Sequence, residues 1–223
     1  GLSSLIASAQ GPKNLTILDT LNIGQSLAGV WHYRHASGSE YAIVGASEGI
    51  CIVDITTPTA VSLVMQLPGV SSIWPEVKVL GDYAYAVSEG FDTNNVLNGM
   101  EIIDLRYLPD SAPNKFYTGD GLIANQLSTA HTVTVAGSSV FVNGHNINSL
   151  GRGVLILDVT DPWNPVYVGS ENNNYCHDSY VRDNFLYTSD IYNGQFSIYD
   201  ISNLSSPVLQ ATQLTPGLFN HNT

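Results

Sequence analysis

Short runs of alternating apolar and polar residues follow one another along the chain, separated by stretches rich in Gly, Asn, Asp and Pro. Such alternation is typical of a β-strand with one buried face, and no run has the spacing of an amphipathic helix. The clearest runs are EYAIVGA at 40–46, DYAYAVS at 82–88, SVFVNG at 139–144 and NFLYTSD at 184–190. The pattern predicts an all-β protein.

One signature recurs four times, just after each of these runs. It consists of a Gly, an apolar run, an Asp, one apolar residue and then turn-forming residues. The copies are GICIVDITTP at 49–58, GMEIIDLRYLP at 99–109, GVLILDVTDP at 153–162 and GQFSIYDISN at 194–203. The shared Asp stands at 54, 104, 158 and 200, so the separations are 50, 54 and 42 residues. A period of about 40–50 residues is typical of β-propeller blades.

Each repeat also holds an opening strand, such as HTVTVAG at 131–137, and a closing strand, such as PVYVGS at 165–170. Four strands a unit predict a β-propeller of four-stranded antiparallel blades. The competing fold, a β-sandwich, would not repeat a signature at this period. We therefore expect a single propeller domain over 1–223, with four full blades near 26–67, 70–120, 128–170 and 175–214, plus a partial closing blade.

Several segments resemble a known family. IVDITTP, ILDVTDPWNPV and IYDISNLSSPV resemble LVIVD repeats, and SSIWPEVKVLGDYAYAVSEG and STAHTVTV are similar to the choice-of-anchor B proteins of bacterial surfaces. The resemblance covers nearly the whole chain. It implies a secreted or surface-attached bacterial propeller whose C-terminal anchor varies, and it implies no defined activity.

The two ends of the sequence suggest how the ring is cut. NLTILDTL at 14–21 matches a fourth strand, and LFNHNT at 218–223 matches the start of a first strand. Propellers commonly close by pairing such ends, which removes exposed sheet edges. We expect the remaining strands of the closing blade to come from a missing segment or from a second chain.

Charge and composition limit the classes of partner that are expected. The chain has 7 Lys and Arg against 19 Asp and Glu, a formal net charge of −12. Nucleic acid and anionic membranes need a basic footprint, so neither is an expected partner. No run approaches the roughly 18 apolar residues of a membrane-spanning helix. Few Lys and many Asn, Ser, Thr and Tyr favour an extracellular or cell-surface location, and Cys51 and Cys176 are expected to be free, buried thiols.

Histidines carry the main candidate chemistry. Aligning the units on their opening strands puts His32, His131, His177 and His221 at one position, where the second unit has Pro75 followed by Glu76. This position lies where one blade passes to the next, at the mouth of the central channel. A ring of imidazoles with nearby carboxylates, Asp178 and Glu76, suits zinc or another divalent metal. The alternative is that these histidines are hydrogen-bonding struts or channel lining.

Two tryptophans and one more histidine complete the candidate ligand-binding face. Trp31 and Trp74 occupy equivalent positions, just before the repeated position in their units, either as channel wall between blades or as platforms for a sugar ring. His145 lies in a connection of variable length beside the same face, and such loops often surround binding sites. The repeated Asp residues are expected to cap turns.

HExxH and phosphate-binding loops are absent from the sequence, and its one GxSxG string, Gly45–Gly49, joins two predicted strands rather than a strand and a helix, so it does not have the context of a nucleophile turn. The first hypothesis is therefore a secreted or cell-surface propeller that acts as a binding, adhesion or assembly module for a protein or a glycan. The alternative is a metal-dependent hydrolase or lyase whose His-lined site lies at the channel mouth.

Overall fold

The computed structural model describes residues 15–91 and 98–222. Its regular structure consists of β-strands and a few single turns of 3₁₀ helix. The strands are β1 (Leu27–Arg34), β2 (Glu40–Ala46), β3 (Gly49–Asp54), β4 (Ser62–Pro68), β5 (Glu76–Leu80), β6 (Tyr83–Val87), β7 (Met100–Asp104), β8 (Asn114–Tyr117), β9 (Thr132–Ala136), β10 (Ser139–Asn143), β11 (Val154–Asp158), β12 (Val166–Glu171), β13 (Asp178–Arg182), β14 (Phe185–Asp190), β15 (Gln195–Asp200) and β16 (Val208–Leu214).

The strands form four separate antiparallel sheets of four, and each sheet follows chain order. The first strands of neighbouring sheets, β1, β5, β9 and β13, lie next to one another. The hydroxyl of Thr132 in β9, for example, donates to the main-chain oxygen of His177 beside β13 at 2.7 Å. Sheets that radiate from adjacent first strands are the blades of a β-propeller, so the predicted fold is confirmed.

The core lies between the blades. Apolar side chains on the facing surfaces of adjacent sheets interlock, and the largest are fully buried. Tyr85 and Met100 of the second blade pack with Leu155 of the third, and Phe141 of the third packs with Tyr199 of the fourth. Because the second and third sheets have a neighbour on each face, their middle strands β6, β7, β10 and β11 are buried almost throughout.

The repeated Asp ends the third strand of each blade and caps the turn that follows. A carboxylate oxygen accepts the main-chain N–H two residues later at Asp54 (2.8 Å), Asp104 (3.1 Å), Asp158 (2.8 Å) and Asp200 (2.8 Å). This is the Asx-turn geometry that the sequence predicts. The signature Asp is therefore a turn residue at the end of the blade opposite to the histidines.

The end segments form no strand among the described residues. Residues 15–21 lie outside the sheets, with Asp19 accepting a hydrogen bond from the N–H of Val61 at 3.0 Å. Residues 219–222 also lie outside the sheets, and Asn14 and Thr223 fall outside the described ranges. The expected pairing of 14–21 and 218–223 within a closing blade stays a prediction. Cys51 and Cys176 are buried and unbridged.

Two glycines test the close packing of the main chain within the second blade. Gly81, in the β5–β6 turn, and Gly99, before β7, have similar positive φ angles of 59° and 58°. A Cβ on Gly81 meets nothing within 4 Å, whereas one on Gly99 falls 2.1 Å from the main-chain oxygen of Tyr117. Gly81→Ala should cost about 1–2 kcal/mol from the left-handed backbone. Gly99→Ala should cost about 1–3 kcal/mol more, because the backbone must move.

Urea denaturation of both variants and the wild type measures the difference, with Gly81→Ala as the matched control for backbone strain. Equal losses in the two variants would contradict the crowding at Gly99.

Candidate functional site at the channel mouth

The end of the sheets at which the first strands begin is called here the mouth. A cavity of about 420 Å³ opens there, between the starts of the first strands. Its walls combine three imidazoles, two carboxylates, an amine, a hydroxyl, an amide and an indole. The lining residues are Ala28, Trp74, Glu76, Lys78, His131, Thr132, His177, Asp178, His221 and Asn222.

Three of the four aligned histidines meet at this cavity. The Nε2 atoms of His131 and His177 lie 2.7 Å apart, and the rings of His177 and His221 are 4.0 Å apart between centroids. His131 and His177 each stand one residue before a first strand. Their main-chain N–H groups donate to Asn143 and Ser189 at the ends of the second strands. Because neighbouring first strands are side by side, the repeated position converges on the channel.

His32 does not belong to this group, so its alignment with the other histidines is wrong. It pairs with Ala42 deep within β1, and its Nε2 lies 3.4 Å from a carboxylate oxygen of Glu40, near the opposite end. The reason is a longer opening hairpin: five residues join β1 to β2, whereas two join β5 to β6. The shift of register brings Ala28, not His32, to the cavity wall.

The same shift separates the two tryptophans, whose predicted equivalence is also wrong. Trp74 lies at the mouth and lines the cavity. Trp31 pairs with Ile43 and lies further along the channel, where the Lys78 ammonium stands 4.4 Å from the centre of its ring. Trp31 is thus a wall residue that makes a cation–π contact rather than part of the mouth.

His145 is buried and does not line the cavity, which corrects its assignment to the ligand-binding face. Its Nδ1 accepts the main-chain N–H of Ile147 at 3.1 Å, which fixes the connection after β10. Burial, reinforced by the positive charge of Arg152, lowers its pKa from 6.5 to about 4. A neutral, enclosed imidazole at this place supports the loop rather than contacting a ligand.

The charges around the cavity act on one another. Burial raises the pKa of Glu76, the neighbouring Asp178 raises it further, and Lys78 lowers it. The Lys78 ammonium lies 3.9 Å from the Glu76 carboxylate. Burial, with His131 and His221 beside it, lowers the pKa of His177 to about 4. His177 is therefore a neutral imidazole at pH 7, in which one ring nitrogen carries a proton and the other offers a lone pair to a hydrogen-bond donor or a metal.

A continuous row of rings crosses the mouth, and part of it is not foreseen from the sequence. Neighbouring ring centres are 4.0–6.5 Å apart. In order, the row, called here the aromatic row, is Tyr192, Tyr175, His131, His177, His221 and Phe219. Tyr175 is recognisable in the sequence two residues before His177, but Tyr192 comes from the second-to-third strand connection of the fourth blade, which only the fold brings alongside.

The loops at the mouth carry more exposed apolar side chains than the loops at the opposite end. Of the described loop residues that follow residue 21, one large exposed hydrophobic side chain, Tyr107, lies at the opposite end of the blades. Seven lie at the mouth, on loops from all four blades: Ile73, Trp74, Phe91, Leu122, Tyr192, Leu218 and Phe219. Exposed apolar side chains gathered on one face mark a surface of interaction.

The side chains that could bind a metal are not arranged as a three-ligand site among the described residues. In residues 15–91 and 98–222, no set of three or more His, Cys, Asp or Glu side chains is arranged to hold a metal ion. The predicted metal ligands His131, His177 and His221 lie together as a row of rings tilted by 50–58° to one another. The same ranges hold no helix long and apolar enough to cross a membrane.

Comparison with known proteins agrees with the fold. The family model of the LVIVD repeat matches residues 36–67 and 175–215, which span most of the first blade and all of the fourth. The chain contains LVIVD repeats. Among solved structures, 155 chains match. One, a crystal structure of a nidogen–laminin complex, has a TM-score of 0.54 and 11% sequence identity, covering 85% of this chain and 65% of that chain.

At that identity the likeness shows the fold of the LVIVD-repeat chain and nothing more. The chain spans 65% of the length of the solved chain that it matches. No curated protein matches the sequence.

Two buried glutamates lie away from the mouth cavity and were not singled out from the sequence. Glu101 in β7 accepts a hydrogen bond from the Asn114 amide at 2.5 Å, and Glu171 at the end of β12 accepts the N–H of Asn173 at 2.5 Å. Burial raises the pKa of each from 4.5 to about 7. The sequence contains a sign that Glu101 is buried, because it occupies a third-strand position where the other repeats have Cys, Leu or Ser.

These raised pKa values make stability depend on pH. Between pH 4.5 and 7 the unfolded chain releases protons that folded Glu171 retains, so this contribution to stability is complete below pH 4.5 and lost as the pH rises through 7. Glu171→Gln should remove this loss of stability at high pH. It should raise the free energy of unfolding at pH 8 by up to about 3 kcal/mol relative to wild type.

Urea unfolding at pH 5 and pH 8 measures this effect as a difference between variant and wild type. The comparison is needed because His177, whose pKa is lowered, has the opposite effect in the same range. The exposed Glu48→Gln serves as control and should change stability by less than about 0.5 kcal/mol at both pH values. A Glu171→Gln difference that does not grow with pH would contradict the buried, protonated carboxyl.

Proposed function

We propose that this LVIVD-repeat propeller is an extracellular binding module that presents its mouth to a ligand. The observation that carries the proposal is that the loops at the mouth carry seven exposed apolar side chains, one of which, Trp74, also lines a cavity with convergent polar groups. Binding sites commonly combine an apolar lining with a few placed polar groups. The opposite end, with its Asp-capped turns, has the composition of an ordinary solvated surface.

The ligand that fits this surface best is an uncharged glycan. Trp74, Tyr192 and Phe219 are more than half exposed and offer ring faces to stack on a sugar. Carboxylates of Glu76 and Asp178 and the Thr132 hydroxyl provide hydrogen-bonding groups beside them. An anionic polymer is disfavoured by the net charge of −12.

The location rests on composition and resemblance. Few lysines, an excess of acidic residues and segments similar to choice-of-anchor B proteins support a bacterial protein that acts outside the cell or on its surface. The LVIVD repeats are compatible with this location.

Replacing single rings at the mouth should weaken ligand binding without unfolding the chain. Trp74→Ala and Tyr192→Ala should each weaken binding about tenfold or more, as expected for exposed aromatic anchors in a binding site. Tyr107→Ala, an equally exposed aromatic residue at the opposite end, is the matched control and should bind as wild type does. An array of neutral glycans identifies the ligand, and calorimetry with the best one compares the variants.

If no glycan binds, but a protein captured from the cell envelope loses affinity in the same two variants, the partner is a protein and the mouth is retained as the interface. Equal losses in Tyr107→Ala and Trp74→Ala would overturn the assignment of the mouth.

A metal-dependent hydrolase or lyase is the second candidate. The observation in its favour is the neutral His177 beside His131, whose other ring nitrogen lies 3.0 Å from the Glu89 carboxylate. An imidazole held by a carboxylate is the usual form of a general base or a metal ligand. Turnover of glycan esters or glycosides that requires both histidines would favour this candidate.

A further inference from the structure

Two histidine ring nitrogens at the mouth are in close contact, and a hydrogen bond is one of two explanations for it. Nε2 of His131 and Nε2 of His177 face each other at 2.7 Å on the cavity wall. Two neutral imidazoles make such a contact only if one nitrogen carries a proton and the other a lone pair. The surroundings of the two rings decide which tautomers are present.

The carboxylate of Glu89 lies 3.0 Å from Nδ1 of His131. This contact favours the proton on Nδ1 and leaves the lone pair of Nε2 directed at His177. If His177 supplied the bridging proton from its Nε2, its Nδ1 would be left as a lone pair. That Nδ1 is buried and has no hydrogen-bond partner, so it is unsatisfied in either tautomer and does not decide between them.

A cation between the two Nε2 atoms accounts for the same contact. Metal-ligating histidines almost always donate their other ring N–H to a carboxylate or carbonyl. The Glu89 carboxylate lies at the matching distance from His131 Nδ1, 3.0 Å, although the angle of the contact is not that of a hydrogen bond. At metal–nitrogen distances of about 2.0–2.1 Å, two ligands at tetrahedral or right angles lie roughly 2.9–3.4 Å apart. The two rings need to separate by only a few tenths of an ångström to reach that spacing.

We propose that the Nε2 atoms of His131 and His177 bind one divalent transition-metal ion at the mouth of the channel. The chain itself supplies two metal ligands. This agrees with the finding that no three His, Cys, Asp or Glu side chains among the described residues are arranged around one point. The remaining positions are filled from the cavity, by water, by the carboxylates of Glu76 or Asp178, or by a bound ligand. The inference rests on the proposed function only in that both use the same cavity.

The donor types select the metal. Imidazole nitrogen suits zinc, copper and nickel, whereas calcium and magnesium prefer sets of oxygen ligands. The ammonium of Lys78 near Glu76 opposes a purely carboxylate-held cation on that side of the cavity. The expected ions are therefore Zn²⁺, Ni²⁺ and Cu²⁺, and not Ca²⁺.

Calorimetry of EDTA-treated protein with Zn²⁺ alone, at pH 7.5 and without any glycan, tests the site. One ion should bind per chain, and His131→Ala and His177→Ala should abolish binding. His32→Ala is the matched control, because His32 also faces a carboxylate but lies away from the mouth, and it should bind zinc as wild type does. Calcium should produce no heat.

Two further measurements distinguish loss of a metal ligand from misfolding of the alanine variants. Glu89→Gln keeps both metal ligands and should weaken zinc binding about 10- to 100-fold, because it removes only the carboxylate that orients His131. Copper(II) bound to the wild-type chain should show an electron paramagnetic resonance signal split by two nitrogen ligands.

No saturable zinc binding by the wild-type chain would overturn the proposal and assign the 2.7 Å contact to a shared proton. Equal loss in His32→Ala would also overturn it. Because glycan is absent, failure here leaves the binding function untouched. Conversely, if the chain binds zinc but the array and the capture experiment find neither a glycan nor a protein ligand, the metal site is supported and the proposed function is contradicted.

Discussion

The structure depends on burial between blades. A four-stranded sheet with two apolar faces cannot cover either face alone, so each sheet is stable only when a neighbour packs on it. Tyr85, Met100 and Leu155 show the consequence, since side chains of the second and third blades interlock and are fully buried. With apolar burial contributing about 25 cal/mol per Å², this stacking holds the arc of blades together.

Stacking blades in this way also creates the site. When adjacent sheets pack face to face, their first strands come side by side around an axis, and residues just before a first strand can reach the channel, as His131 and His177 do. His131 and His177 are 46 residues apart in sequence, yet their rings are in contact. The site is thus a product of repetition: one position, used several times, becomes a cluster.

The two ends of the blades carry chemically different side chains, although all four blades have the same architecture. At one end the repeated Asp caps a tight turn, and its carboxylate is used within the chain. At the other end the connections vary in length and carry exposed rings such as Trp74 and Tyr192. A scaffold that is rigid at one end and variable at the other is suited to recognition, since loops can change without disturbing the interlocked core.

The sequence by itself determined the all-β class, the four repeats and the capping role of the repeated Asp, because alternation, period and turn chemistry are local properties. It also brought out His131 and His177 as one repeated position. It could not place His32 and Trp31, because their position depends on the length of one hairpin and on strand register, where a shift of four residues moves a side chain to the other end of the blade. Tertiary structure alone decided that His145 is buried, that Glu101 and Glu171 lie in the interior, and that Tyr192 joins the aromatic row, since burial and contact between distant segments arise only when blades pack together.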